Sequence, residues 1–366
     1  MRILYIGPVP PRPGGISHSG AALCAALRRG GHDVDIVSWS AQYPHFLYPG
    51  SQHDPDATAP PGARFPLRWW APWGWWTEAR RARDVDLVVF PWVSPAQAPA
   101  YWTILAATRR VPHLAVVHNP HPHEARRFDD AAARSVLGRV DALLTHSDAA
   151  AAAVSALVRD VPVVVAPIAP TIVLQAHPLP PRPPVRALFF GMVRAYKGLD
   201  LALDALAILR DRGVEIELTV AGELWDESAA EWRTRVDGAG LGDAVELRAG
   251  YVPDADVDAL FAAHHLVLAP YRTATQSAVV PVASAAGRPT VATPVGGLAE
   301  QVVDGVNGTV AASVTAAAFA DAIARAIDDL GGLAARAAST APDWDEVARR
   351  VESAARAMRQ RPSARS

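Results

Sequence analysis

Ala269-Pro270-Tyr271-Arg272-Thr273-Ala274-Thr275-Gln276-Ser277-Ala278-Val279-Val280-Pro281 decides how this 366-residue chain is read. The run before it, His265-Leu266-Val267-Leu268-Ala269, has the length and composition of a buried strand, and it stops at a proline. After a short polar turn a helix begins. Pro281 falls in its first turn, where a missing N–H and a fixed φ cost least. The spacing predicts free N–H groups on Ser277, Ala278 and Val279 pointing out of the helix start, with the helix dipole behind them. An anion site at the carboxyl end of a strand in an α/β domain points to a nucleotide ligand.

The same alternation of strand and helix runs outward from this stretch. Upstream, Arg186–Gly191, Glu215–Ala221, Val245–Ala249 and Leu266–Ala269 read as strands, and Thr290–Thr293 follows downstream. In the first half the strand-like runs are Ile3–Gly7, Val34–Trp39, Val85–Phe90, Leu114–His118, Ala142–His146 and Val161–Ala166. The helix-like runs there are Gly20–Arg29, Tyr101–Arg109, Ala131–Gly138 and Ala149–Val158, with Gly30-Gly31 as a C-terminal stop. Short Val/Leu/Ile-rich runs between helices indicate parallel sheets covered on both faces. The proline-rich His177–Pro184 interrupts the pattern and reads as a semi-rigid linker. The expected organisation is a Rossmann-like domain over 1–170, a linker over 171–185, a second Rossmann-like domain over 186–340, and a C-terminal helix over 341–366 that returns to the first domain. Two such domains leave a cleft between facing strand ends, which ligands favour.

Half the residues are apolar and a fifth are charged, so the chain is globular. A net charge of −2 with no basic block argues against a nucleic-acid partner. The single cysteine, Cys24, excludes an internal disulfide and fits a reducing compartment. The opening Met1–Gly7 is too short and too strand-like for a signal peptide, and no run is apolar and long enough to span a bilayer. A cytoplasmic protein is expected, able to touch the inner membrane face.

Five segments carry chemistry. Pro8–Gly15, a glycine-containing loop between the first strand and the first helix, lets backbone approach a ligand; it is not a G-x-G-x-x-G dinucleotide loop. Gly191-Met192-Val193-Arg194-Ala195-Tyr196-Lys197-Gly198 sets two cations at a strand end, suited to a diphosphate. His118-Asn119-Pro120-His121-Pro122-His123-Glu124 ends a buried strand. Its prolines exclude a helical i, i+4 ligand face, so no metal is expected, and His118 is the catalytic or sugar-contacting candidate. Ala221-Gly222-Glu223 offers close approach and one carboxylate. Arg68-Trp69-Trp70-Ala71-Pro72-Trp73-Gly74-Trp75-Trp76 packs five tryptophans, more than one helix face can bury. Trp73, Trp75 and Trp76 are therefore candidates for an acceptor or membrane patch, against the alternative that the indoles are core.

In this order the motifs resemble the family 4-type glycosyltransferases of the GT-B fold, over nearly the whole chain. The opening strand, the Pro-x-x-Gly-Gly loop and Gly31-His32-Asp33-Val34 resemble that family's N-terminal signature. Gly191-x5-Lys197-Gly198, Ala221-Gly222-Glu223 and Ala286–Thr293 followed by Val295-Gly296-Gly297 resemble its second half. The resemblance implies two doubly wound Rossmann-like domains facing each other across a cleft. It also implies a nucleoside-diphosphate sugar as donor substrate held mainly by the second domain, a hydroxyl acceptor on the first, and no metal or other cofactor. Arg194 and Lys197 would bind the diphosphate together with Gly15 and the Ser277–Val279 helix start. Gly222, Glu223, Gln276 and backbone near Tyr251 and Val252 would hold the sugar and nucleoside.

One departure stands out. Aligned by the Ala-Gly-Arg-Pro block, the family's two glutamates fall on Ala274 and Val282, which marks a sub-branch in which Gln276, Ser277 and Glu223 take over their hydrogen bonds. If the reaction inverts, the base is sought in the first domain, His118 first, then His18 and Glu124. If it retains, His118 contacts the donor sugar and the donor phosphate receives the acceptor proton. Two other readings stay open: a GT-B nucleotide-sugar epimerase, and a non-catalytic glycosyltransferase-like partner or activator subunit. The Ala/Arg/Pro-rich composition suggests a high-GC bacterium, with a cell-envelope, lipid-linked or natural-product acceptor.

Overall fold

The computed structural model describes residues 1–43, 53–54, 57–118, 129–172 and 174–360. They form two compact units, Met1–Thr171 with the C-terminal segment from Asp343, and Ile172–Pro342.

The first unit contains strands β1 (Arg2–Ile6), β2 (Asp33–Ala41), β3 (Arg64–Arg68), β4 (Leu87–Trp92), β5 (His113–Val117), β6 (Ala142–Thr145) and β7 (Val163–Val165). Its helices are α1 (Gly15–Arg29), α2 (Pro72–Arg81), α3 (Ala98–Ala107), α4 (Asp129–Leu137) and α5 (Asp148–Leu157). The strand order is β3-β2-β1-β4-β5-β6-β7, and every pairing is parallel. The order reverses between β1 and β4. There the loops leaving neighbouring strands turn to opposite faces and open a crevice at the strand ends.

The second unit holds β8 (Val185–Phe190), β9 (Ile216–Gly222), β10 (Val245–Ala249), β11 (Leu266–Ala269), β12 (Thr290–Ala292) and β13 (Gly308–Val310). Its helices are α6 (Leu199–Asp211), α7 (Ala229–Gly238), α8 (Asp254–Ala262), α9 (Val279–Ala285), α10 (Leu298–Gln301), α11 (Ala316–Asp328) and α12 (Leu330–Ser339). This sheet is also wholly parallel, in the order β10-β9-β8-β11-β12-β13, and its reversal lies between β8 and β11. Central strands such as β4, β5 and β11 are buried along their whole length, which their unbroken apolar runs require when helices cover both faces.

The last helix, α13 (Trp344–Gln360), belongs to the first unit. Val347, Val351, Ala354 and Ala355 line its buried stripe, and it packs along α1. An ion pair, Arg29–Asp345 at 2.7 Å, and a hydrogen bond between His32 Nε2 and Glu352 Oε1 at 2.9 Å flank that contact. Trp344 Nε1–H donates to the Pro170 carbonyl at 2.8 Å.

The expected linker segment, 171–185, falls almost wholly within the second unit. From Ile172 on, the proline-rich segment packs on the second unit. Prolines lack an N–H but keep a carbonyl acceptor, and the buried Arg288 uses its fork of donors to take two carbonyls here, His177 O at 2.8 Å and Pro178 O at 3.1 Å. His265 Nε2 binds Pro180 O at 3.0 Å, and His177 pairs with Asp258 at 2.8 Å.

Candidate active site

In the second unit the chemistry gathers at the strand-order reversal. Leaving β8, the chain turns at Gly191 and returns through a short 3-10 turn, Ala195–Lys197, into α6. Gly222, at the end of β9, lies against it: a Cβ there would sit 2.2 Å from Gly191 O. The bonds Val193 N–H to Glu223 O (2.7 Å) and Ala195 N–H to Asp226 Oδ2 (2.8 Å) fasten the turn to the β9 loop.

This turn buries Lys197. Its residue is 9% exposed, its Nζ lies 5.7 Å from the centroid of the Tyr271 ring, and it has no ion pair among the described residues. Burial pulls its pKa below the ordinary lysine value. Arg194 is half-buried, 5.3 Å over the exposed Trp225 ring, and also has no ion pair among the described residues. Neighbouring Arg272, by contrast, is neutralised by Asp200 through bonds of 3.0 and 2.7 Å. Two cations left without carboxylates among the described residues, beside a strand end, suit an anion from outside.

The helix start at α9 is corrected in part. Ser277 is buried, and its N–H is taken by Gln301 Oε1 at 2.7 Å, while Gln301 Nε2 donates to Ser277 O at 3.0 Å. The Val279 N–H points to Ser277 Oγ at 3.3 Å. Of the three predicted donors only the exposed Ala278 keeps its N–H uncommitted among the described residues. Pro281 lies in the first turn of α9, as its missing N–H requires. The Ser277 hydroxyl stands 3.2 Å from the Tyr271 hydroxyl, so Tyr271 bridges Lys197 and Ser277. Burial pushes the Tyr271 phenol up to about 12, so it stays protonated and can donate.

Glu223 is exposed at the end of β9, and Gln276 is half-buried. Tyr251 and Val252 follow β10 on the same edge; Tyr251 is exposed, with its hydroxyl 3.2 Å from Asp254 Oδ1. Tyr271, Trp225 and Gln301 were not assigned roles from sequence. Tyr271 had a signal, its place in the loop after β11. Gln301 had none, because its bond to Ser277 spans 24 residues.

In the first unit, Gly15 and the half-buried His18 lie in the first turn of α1. The loop before it docks tightly: Tyr5 Oη donates to Pro8 O at 3.4 Å, and a Cβ on Gly20 would lie 2.1 Å from that hydroxyl. His118 follows β5 and is buried against His146, which follows β6, with ring centroids 5.0 Å apart. The pair lines a cavity of about 10 Å³, with Tyr5, Ser19 and Trp344 on its other walls, room for about one water. His146 Nδ1 faces Ala166 O at 3.1 Å, and its Nε2 is buried without a hydrogen-bond partner.

Burial, reinforced by His146, pushes His118 down to about 3. It is therefore a neutral imidazole at physiological pH. The folded value lies below the unfolded one, so this contribution to stability is present above about pH 6.5 and is lost as pH falls toward 3. The urea midpoint should fall between pH 6.5 and 4 in the wild type, and His118→Gln should flatten that slope. An unchanged slope in the variant would place the pH dependence elsewhere. Glu124, with Asn119, His121 and His123, lies outside the described residues. Among the described residues no three His, Cys, Asp or Glu side chains gather into a metal-binding group.

The tryptophan reading splits. Trp75 is corrected to core: it is buried, and its Nε1–H donates to Arg68 O at 2.8 Å. It faces the sheet together with Ala79. Trp73 and Trp76 are exposed, as is Trp70.

Comparison with known proteins agrees with this geometry. The family model described as Glycosyltransferase Family 4 matches residues 13–169, and the one described as Glycosyl transferases group 1 matches residues 184–329. The D-inositol 3-phosphate glycosyltransferase of Paenarthrobacter aurescens is 30% identical over 145 residues, 39% of this chain and 35% of that protein. The alpha-D-kanosaminyltransferase of Streptomyces kanamyceticus is 27% identical over 142 residues, 39% of this chain and 36% of its own length. The chain thus spans about a third of the length of the curated relatives it matches. Among solved structures, sucrose-phosphate synthase from Thermosynechococcus elongatus superposes with a TM-score of 0.71 at 17% identity, covering 98% of this chain and 99% of that one. HepE of Anabaena, in complex with UDP, gives 0.71 at 19% identity, covering 98% and 100%. Two wholly parallel sheets, matched by the paired family models over both halves, make the chain a member of the family 4-type glycosyltransferases with the GT-B fold.

Proposed function

We propose that the chain transfers a hexosyl unit from a nucleoside-diphosphate sugar to a hydroxyl acceptor. The observation that carries this reading is Lys197, an ammonium buried over an aromatic face at the reversal of a parallel sheet, without a carboxylate partner among the described residues. A diphosphate supplies the missing negative charge, and Arg194 adds a second cation. As the bond to the sugar breaks, charge builds on the leaving phosphate oxygens, and fixed cations stabilise that state more than the ground state. In this reading they do the work of a metal. Ser277, Gln276 and Glu223 hydrogen-bond the sugar and ribose hydroxyls, and Tyr251 and Val252 lie beside the base. The UDP complex of HepE and relatives named for sugar transfer support the assignment.

His118 is not the base in this reading. An imidazole at about 3 holds a proton too weakly for general-base work near neutral pH. That role falls to His18 if the reaction inverts. The acceptor binds the first unit near the Gly15 loop, in the cytoplasm, where a buried free Cys24 stays reduced.

Calorimetry with UDP, GDP, ADP and dTDP, without metal, tests the reading on wild type and on Arg194→Ala/Lys197→Ala. Tight binding of one nucleotide that is lost in the double variant supports it and names the base. No binding of any of the four overturns it.

A further inference from the structure

The tryptophans of the Arg68–Trp76 segment divide between core and surface. Trp75 anchors α2 to the core, while Trp73 and Trp76 stand on the opposite face, 79% and 49% exposed. Arg80 continues the stripe at i, i+3, i+7 spacing, and its guanidinium stacks 3.6 Å over the Trp76 ring. Trp70, 52% exposed, precedes the helix with Arg68 over its ring at 6.0 Å. The half-exposed Trp102 lies on α3, which packs beside α2.

Among the described residues, the charge left unpaired on α2 and on the segment just before it is cationic. Arg68, Arg80 and Arg83 have no ion pair among the described residues. The only carboxylate of α2, Glu78, is buried and already shared by Arg64 at 2.8 Å and Arg81 at 2.9 Å. Among the described residues the indole N–H groups of Trp70, Trp73 and Trp76 have no protein acceptor, whereas those of Trp75 and Trp102 do. Such a face needs a partner that is apolar at one depth, offers acceptors just above it, and is negatively charged. A protein rim of mixed sign meets these demands poorly; the headgroup boundary of an anionic bilayer meets all three.

We propose that the α2 face is a peripheral docking surface for anionic lipid bilayers, with Trp73 and Trp76 seated at the headgroup boundary and Arg68, Arg80 and Arg83 on lipid phosphates. No helix among the described residues is long and apolar enough to cross a membrane, so the contact is superficial. This proposal does not rest on the donor assignment, because its residues and its readout lie apart from nucleotide binding.

Flotation of the full chain with phosphatidylcholine vesicles, with and without phosphatidylglycerol, tests it. Binding should require the anionic lipid and weaken in high salt, where the Debye length falls to about 3 Å. Trp73→Ser/Trp76→Ser should lower partitioning about tenfold or more, and Arg80→Gln about fivefold, with the melting temperature unchanged in both. No flotation with anionic vesicles would overturn the proposal, as would equal flotation with neutral ones. So would a double-tryptophan variant that floats like wild type, or one that instead loses a concentration-dependent dimer.

Discussion

Lys197→Met should lower turnover by about 10²–10³-fold while the protein melts at or above the wild-type temperature. The two effects have one cause. In the free protein the Lys197 ammonium has given up water for a place over Tyr271 without gaining a counter-ion among the described residues, and that costs folding free energy. Methionine fills similar volume, keeps contact with the aromatic face and removes the cost. What it cannot do is meet the charge that develops on the leaving phosphate. The pH dependence separates this account from a packing role. Because burial lowers the folded-state pKa of Lys197, the unfolded chain binds more protons between that value and about 10.4, and wild-type stability rises with pH across that window. The variant should lack this rise. Lower stability with unchanged nucleotide affinity would make Lys197 a structural residue.

How far the sequence carries depends on whether a feature is local. Strands β10 and β11 run over the residues their apolar pattern marks, and the Gly191–Gly198 spacing brings Lys197 to the sheet reversal. Strand β3, Arg-Phe-Pro-Leu-Arg, gave no signal, because an edge strand tolerates both a proline and flanking charges. Strand β13, Gly-Thr-Val, also gave no signal, because it is short and opens on a glycine, a poor strand former. Which tryptophan is core depended on the rotation of α2 about its axis, fixed by Trp75 packing under the sheet. The Ser277 N–H was offered to a ligand by local rules and taken by Gln301 through tertiary structure. The lowered pKa of His118 likewise comes from tertiary burial, to which His146, brought beside it by the adjacent strand, adds.

Gly198→Ala should destabilise the second unit by about 2–4 kcal/mol and reduce turnover about 10²-fold. Gly198 has φ 69° and ψ 38°, a left-handed conformation that costs an alanine about 1–2 kcal/mol. A Cβ would also lie 2.1 Å from Pro270 O, a backbone atom that no rotamer change can move away. Either the Lys197 turn or the loop after β11 must shift. Those are the two segments whose approach sets Lys197 5.7 Å from the Tyr271 ring, so the strain is released into the site itself. Gly213 separates the two contributions. Its φ is also positive, 81°, but a Cβ there meets nothing within 4 Å. Gly213→Ala should therefore show the conformational cost alone, about 1–2 kcal/mol, with full turnover. If the two variants melt together and turn over alike, close approach of Gly198 to Pro270 is not what holds Lys197 in place. If only Gly198→Ala loses activity, backbone contact between the β8 and β11 loops sets the position of the cation.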